Sequence, residues 1–149
     1  WIKRHMPTDG SVSLRDVTSA LAVINVIGPH SRMLLEKVTA DDISNPNFRY
    51  GKCKLIAVGS APVDALRVTF VGELGYELYI PAEFACDVYE NLWDAGQELS
   101  IVNAGYRAIN SLHFEKGYCL WGSELTPEYT PYDAELGFCA PLRLMLKSP

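Results

Sequence analysis

The sequence predicts an α+β fold, an antiparallel-rich mixed sheet packed with helices, and three observations predict it. Short β-rich runs are joined by glycine-containing segments of hairpin length, Gly59-Ser60-Ala61-Pro62 and Gly72-Glu73-Leu74-Gly75. One long stretch, Ala82 to Leu99, carries an apolar stripe at helical spacing. Strand-like and helical stretches are interleaved, with several antiparallel neighbours.

Taken in order, Trp1 to His5 is too short to classify, and Pro7-Thr8-Asp9-Gly10 is turn chemistry. Val12 to Leu14 alternates weakly. Leu21 to Ile27 is nearly all apolar and reads as a central strand covered on both faces. Gly28-Pro29 then opens a helix to Val38, with Met33, Leu34, Lys37 and Val38 at helical spacing and Pro29 at the first helical position. His30 at that helix start reads as a solvated end residue, with a ligand or catalytic role as the alternative. In the polar loop from Thr39 to Arg49, Asp41-Asp42 could bind a metal, but Thr39 and Ala40 before them make helix capping the preferred reading.

Tyr50 to Val58 and Asp64 to Val71 read as strands, and with Tyr76 to Ile80 they make a three-strand meander. Over Ala82 to Leu99, the residues Phe84, Val88, Leu92, Ala95 and Leu99 form one stripe that should pack across the meander. A second helix is predicted from Tyr106 to Phe114, with Ile109 and Leu112 inward, Gly117 ending it, and Glu115 and Lys116 paired near its end. Cys119-Leu120-Trp121 continues as an extended segment, Thr126-Pro127 and Thr130-Pro131 force turns or extended backbone, and Leu136 to Leu144 returns to strand character.

Composition narrows the function. A chain of 149 residues with 48% hydrophobic and 21% charged residues is long enough for one compact unit with a sizeable core. The net charge of -5 gives no basic field to hold a phosphate backbone, so no nucleic-acid partner is expected. No apolar run approaches the roughly 20 residues that cross a bilayer, and no membrane partner is expected. The opening Trp1-Ile2-Lys3-Arg4-His5-Met6 is not a secretory signal. Cys53, Cys86, Cys119 and Cys139 lie far apart without a Cys-x-x-Cys pair, which argues for reduced, mostly buried thiols and against a metal site or a disulfide framework. A start without Met and an end at Leu-Met-Leu-Lys-Ser-Pro predict a piece of a longer polypeptide.

One residue stands out. If Gly72 to Gly75 is a four-residue hairpin loop, Val71 faces Tyr76 and Phe70 faces Glu77. Alternation then places Leu66, Val68, Phe70, Glu77 and Tyr79 on one face, and Arg67, Thr69, Val71, Tyr76, Leu78 and Ile80 on the other. Glu77 is a lone carboxylate on an apolar face, so it needs a cationic partner, a hydrogen-bonded ligand, or an escape to solvent.

Two segments carry a resemblance. Arg67-Val-Thr-Phe-Val-Gly-Glu-Leu-Gly-Tyr-Glu-Leu78 resembles the first signature of the glycine-cleavage T-protein aminomethyltransferases, Arg-x-(Ser/Thr/Gly)-Tyr-(Thr/Val)-Gly-Glu-x-Gly-(aromatic)-Glu. Ala104-Gly-Tyr-Arg-Ala-Ile-Asn-Ser-Leu-His-Phe-Glu-Lys-Gly-Tyr118, with Leu120-Trp-Gly-Ser-Glu-Leu125 and Thr130-Pro-Tyr-Asp-Ala-Glu-Leu136, resembles the second. Gly-Tyr-Arg-Ala and Glu-Lys-Gly-Tyr-x-Leu-Trp are most similar to the version fused to sarcosine and dimethylglycine dehydrogenases, and Asp16 to Val23 and Gly28-Pro29 fit that branch.

The resemblance implies the central part of a T-protein-like folate-binding fold, truncated at both ends across residues 1 to 149, with a tetrahydrofolate site. Glu77 would receive the pterin ring and Phe70, a Tyr in many relatives, would contact the same ligand. A carboxylate accepts two parallel hydrogen bonds from a pterin edge as it would from a guanidinium, and an aromatic neighbour packs on the flat ring. For Glu77 the competing structural role is a surface ion pair, and for Phe70 plain core packing. Glu73 is assigned to ligand contact or to accepting loop amides, and Tyr76 to support from the opposite face.

The family's catalytic Asp belongs upstream of Trp1, so no catalytic residue is assigned and the chain alone is expected to be inactive. An Arg of the second signature aligns with Ile109. No Gly-x-Gly-x-x-Gly occurs, so FAD would belong to a flavin dehydrogenase domain elsewhere in the polypeptide. The implied activity passes a one-carbon unit from an oxidised N-methyl amine to tetrahydrofolate, giving 5,10-methylenetetrahydrofolate in the mitochondrial matrix. The alternative is a non-catalytic regulatory or interaction module of the same fold, as in the regulatory subunit of pyruvate dehydrogenase phosphatase.

Overall fold

The computed structural model describes residues 1–139. They form two compact units, one of Trp1–Thr69 with Leu74–Ile101, the other of Phe70–Glu73 with the chain from Val102 onward.

The first unit is built on four strands, β1 (Leu21–Ile27), β2 (Cys53–Val58), β3 (Ala61–Leu66) and β4 (Gly75–Pro81), in the order β1-β4-β3-β2. Every pairing is antiparallel. The meander is therefore present, with β1 added beyond β4. β2 and β3 meet at Val58 and Ala61 across Gly59-Ser60. Gly59 has φ +58° and Ser60 does not share the positive φ, the pattern of a type II′ turn whose twist suits a hairpin.

β1 has the predicted bounds but not the predicted place. It is an edge strand with only one covered face, and Leu21 and Val23 point outward. Its apolar run looked like a doubly covered strand because apolar residues occupy its outward positions too.

The predicted hairpin at Gly72 to Gly75 is corrected. Leu66, not Phe70, lies opposite Glu77. After Leu66 the Val68 amide donates to the Leu66 carbonyl at 3.1 Å, a three-residue turn centred on Arg67 that ends the strand. Arg67 exchanges backbone hydrogen bonds with Gly51 and Lys52 on the β2 side, and its guanidinium donates to the Phe48 carbonyl at 2.6 Å and to Asn45 at 2.7 Å. These bonds end the ladder with β4 at Leu66, overriding the β propensity of Val68 to Val71, although Val68 and Thr69 still pass beside Gly75.

One face of the sheet is buried and the other open. Val26, Tyr76, Leu78, Ile80, Ala61, Val63, Ala65, Ile56 and Val58 point to the buried face. Against it pack α2 (Ser31–Val38) through Leu34 and Leu35, and α3 (Ala85–Gly96) through Val88 and Leu92. Fully burying a Leu such as Leu35 contributes about 1.5–3 kcal/mol. Short 3-10 turns at Ala82–Phe84 and Gln97–Leu99 extend α3 to the predicted span. Pro29 stands just before the N-cap, His30, rather than inside α2. A single helical turn, α1 (Ile2–His5), lies near the start, and Val12 to Leu14 joins no strand.

In the second unit, α4 (Tyr106–Glu115) ends as expected at Gly117, where φ +68° lets the Tyr118 amide return to the His113 carbonyl at 2.9 Å. His113, not Ile109 or Leu112, is the buried residue of this helix, and its Nδ1 lies 2.7 Å from the Tyr118 carbonyl oxygen. The strand or extended segment expected over Cys119 to Trp121 is extended and ends in an isolated β-bridge from Trp121 to Leu125, closed by a turn in which the Glu124 and Leu125 amides donate to the Leu120 carbonyl. Thr130 donates to Asp133 through its amide and hydroxyl, fixing the Thr-Pro turn. Of the strand expected from Leu136, residues Gly137–Cys139 form a 3-10 turn, and the remainder lies outside the described residues.

Candidate functional site

The open face of the sheet is where Glu77 lies. Strand alternation and register place Asn25, Glu77, Leu66 and Cys53 in one row across β1, β4, β3 and β2. The next row outward along β4 is Val23, Tyr79, Asp64 and Leu55. Val23 is 50% and Leu55 63% exposed. Polar and apolar side chains thus alternate across this surface, with Val23 and Leu55 at the edges of the Tyr79 row and Asn25 and Cys53 at the edges of the Glu77 row.

Glu77 itself is half-buried. The Tyr79 hydroxyl, two residues along the same face, donates to Glu77 Oε2 at 2.9 Å. Among the described residues no Lys or Arg comes within ion-pair distance of Glu77; the ion pairs there are Lys37 with Glu98 and Lys116 with Glu73. An ionised carboxylate offers about four acceptor positions, and Tyr79 uses one. Oε1 and the second position on Oε2 remain available to a planar pair of N–H donors. The bond and the negative charge of Glu77 hold the Tyr79 hydroxyl above its usual pKa, with burial and Cys53 adding to the shift.

The other predicted site residues are distributed differently. Tyr76 is fully buried on the opposite face, its ring 5.6 Å from that of Phe48 and its hydroxyl accepting from Arg32 Nε at 3.1 Å. Glu73 accepts from Lys116 at 2.9 Å, a partner that replaces both the loop amides foreseen for Glu73 and the Glu115 foreseen for Lys116. That contact raises the Lys116 pKa. Gly72 beside it has φ +74°, and a Cβ there would stand 2.9 Å from Lys116 Cγ, so only glycine lets the segment pass. Phe70 is 51% exposed and sits in this segment of the second unit, not in a strand.

Asp41 and Asp42 brace the loop after α2 and cap no helix. Asp41 accepts from the Ala57 amide at 2.8 Å, and Asp42 from the Ser44 amide at 2.9 Å and from the Asn47 side chain. The Ser44 bonds lower the Asp42 pKa. No group of three potential metal ligands occurs among the described residues. His30 is exposed. The four cysteines are free, as expected, but exposed rather than buried. A shallow open depression between α2 and α3, lined by Lys37, Asp87, Glu90 and Asp94, lies on the helix side, away from Glu77.

Sequence reasoning placed Tyr79 on the open face but missed its bond to Glu77, and it missed Asn25, the one polar residue of an otherwise apolar strand.

Residues 1–143 match the family model described as the GCVT N-terminal domain. The chain belongs to the GCVT N-terminal domain family. This GCVT domain is 37% identical over 139 residues to dimethylglycine dehydrogenase of Rattus norvegicus, covering 93% of the chain and 16% of the relative. It is 42% identical over 130 residues to sarcosine dehydrogenase of Homo sapiens, covering 87% and 14%. A pyruvate dehydrogenase phosphatase regulatory subunit, from Mus musculus, is 35% identical over 134 residues, covering 89% and 15%. The chain therefore spans about one-seventh of these relatives. A heterotetrameric sarcosine oxidase from Corynebacterium sp. U-96 shares the fold, with TM-score 0.56 over 66% of this chain and 49% of that one at 20% identity. No helix among the described residues is long and apolar enough to cross a membrane.

Proposed function

We propose that this GCVT domain is the tetrahydrofolate-binding part of a longer mitochondrial N-methyl amine dehydrogenase, truncated here at both ends. The observation that carries the reading is Glu77: an exposed-face carboxylate with free acceptor positions and no ion-pair partner among the described residues. The 2-amino-4-oxo edge of a pterin presents two adjacent N–H donors, which match those positions. Tetrahydrofolate, when bound, supplies the nucleophilic nitrogen that accepts a one-carbon unit. The chain's own part is to orient the pterin by Glu77, a contribution through positioning.

Tyr76 supports β4 from inside. The resemblance also gives Phe70 and Glu73 to the ligand. By the same resemblance, FAD oxidises the amine in a flavin domain of the same polypeptide, the catalytic Asp precedes this segment, the product is 5,10-methylenetetrahydrofolate and the compartment is the matrix. The isolated chain is then inactive.

Calorimetric titration of the complete polypeptide with tetrahydrofolate tests this. Wild type should bind, and Glu77→Ala should weaken binding by more than about tenfold, the effect of losing hydrogen bonds to a charged group. Equal binding by both removes Glu77 from the site. No binding by wild type favours a regulatory module, a reading motivated by the similarity to the phosphatase regulatory subunit, while Ile109, where the family signature carries an Arg, fits either reading.

A further inference from the structure

We infer that Tyr79 is the positioning residue of the site, fixing the Glu77 carboxylate in the orientation that receives the ligand. The inference rests on the folate reading and adds to it a residue that acts through Glu77.

A glutamate on an open sheet face has several rotamers of similar energy, and a ligand that needs one of them must bear the cost of ordering it. In the structure one hydrogen bond already favours a single orientation. Tyr79 is a β residue whose rigid ring stands two positions along β4 from Glu77, and its hydroxyl reaches Oε2 at 2.9 Å. The flanking register partners of Glu77 are Asn25 and Leu66, neither of them charged, and the bond on this carboxylate is the one the Tyr79 hydroxyl donates. Tyr79 faces Asp64 on β3 and Val23 on β1, and Cys53 lies within electrostatic range. None of these competes as a donor of comparable strength. The hydroxyl occupies one acceptor position of four and leaves the carboxylate able to take a bidentate N–H pair.

The test is a double-mutant cycle in the complete polypeptide, with tetrahydrofolate binding read by calorimetry for wild type, Tyr79→Phe, Glu77→Gln and the double variant. If Tyr79 acts through Glu77, Tyr79→Phe weakens binding about fivefold to tenfold and the double variant binds no worse than Glu77→Gln alone, the non-additivity of coupled groups. Additive losses, or a Tyr79→Phe change below about twofold while Glu77→Gln abolishes binding, overturn the inference and leave the folate reading standing. Undiminished binding by Glu77→Gln sinks the folate reading itself. A ligand-free readout accompanies the cycle. The chain has eight tyrosines, so the phenol titration of Tyr79 is taken as the ultraviolet difference between wild type and Tyr79→Phe. It should titrate above the ordinary tyrosine range and fall back toward it in the Glu77→Gln background. An identical titration in both backgrounds overturns the contact on which the inference stands.

Discussion

Replacing Tyr76 by Phe isolates one buried hydroxyl and separates support from recognition. The Tyr76 ring is fully enclosed, and its oxygen accepts from Arg32 Nε at 3.1 Å. Arg32 Nη2 is itself buried without a partner, so the hydroxyl is a principal compensation for bringing this guanidinium out of water. Phe keeps the ring and its contact with Phe48 but leaves Nε unpaired beside Nη2. Hydrogen bonds to charged groups contribute about 1.5–3 kcal/mol, and a buried donor left unmade incurs its full desolvation cost. A loss of about 2 kcal/mol lowers the melting temperature by roughly 4–8 °C in a protein near 150 residues. Circular dichroism melts of wild type, Tyr76→Phe, Arg32→Met and the double variant measure it. Removing both partners should cost less than the sum of the single changes, because no orphaned donor remains. Melting of Tyr76→Phe within about 1 °C of wild type would refute the reasoning.

Gly72 and the cysteines give two shorter predictions. Gly72→Ala forces a left-handed residue with a side chain against Lys116, and should cost about 1–2 kcal/mol, read as a lower urea midpoint; an unchanged midpoint contradicts the close approach. Because all four thiols are free and exposed, four equivalents should react with a thiol reagent before unfolding. Reaction only after denaturant is added would restore the buried-thiol expectation.

Much of the sheet was legible because alternation survives whatever the topology. Leu66, Glu77 and Tyr79 share a face, and Tyr76, Leu78 and Ile80 the other, as alternation alone requires. Register was not legible. It depended on Arg67, whose bonds to Asn45, Phe48, Gly51 and Lys52 are contacts across long sequence separations that no local pattern encodes. The same limit hid the edge position of β1, the Lys116 partner of Glu73 and the exposure of the cysteines. Glu77 was singled out as a candidate by its chemical oddity among apolar neighbours, and the bond from Tyr79 was passed over because aromatic residues fit strands without further reason.

The two faces of β4 carry different kinds of constraint, and this decides where function is to be sought. On the inner face, Tyr76, Leu78 and Ile80 are demanded by packing against α2 and α3, so a relative that binds nothing would need them equally. On the outer face, nothing in the packing asks for a half-buried carboxylate tied to a phenol; an apolar pair at Glu77 and Tyr79 would satisfy the sheet and avoid desolvating a charge. A group that stability does not require, with acceptor positions to spare, is the feature on which the proposed folate reading rests, and under that reading it is at these outward positions that a binding and a non-binding member of the family should differ.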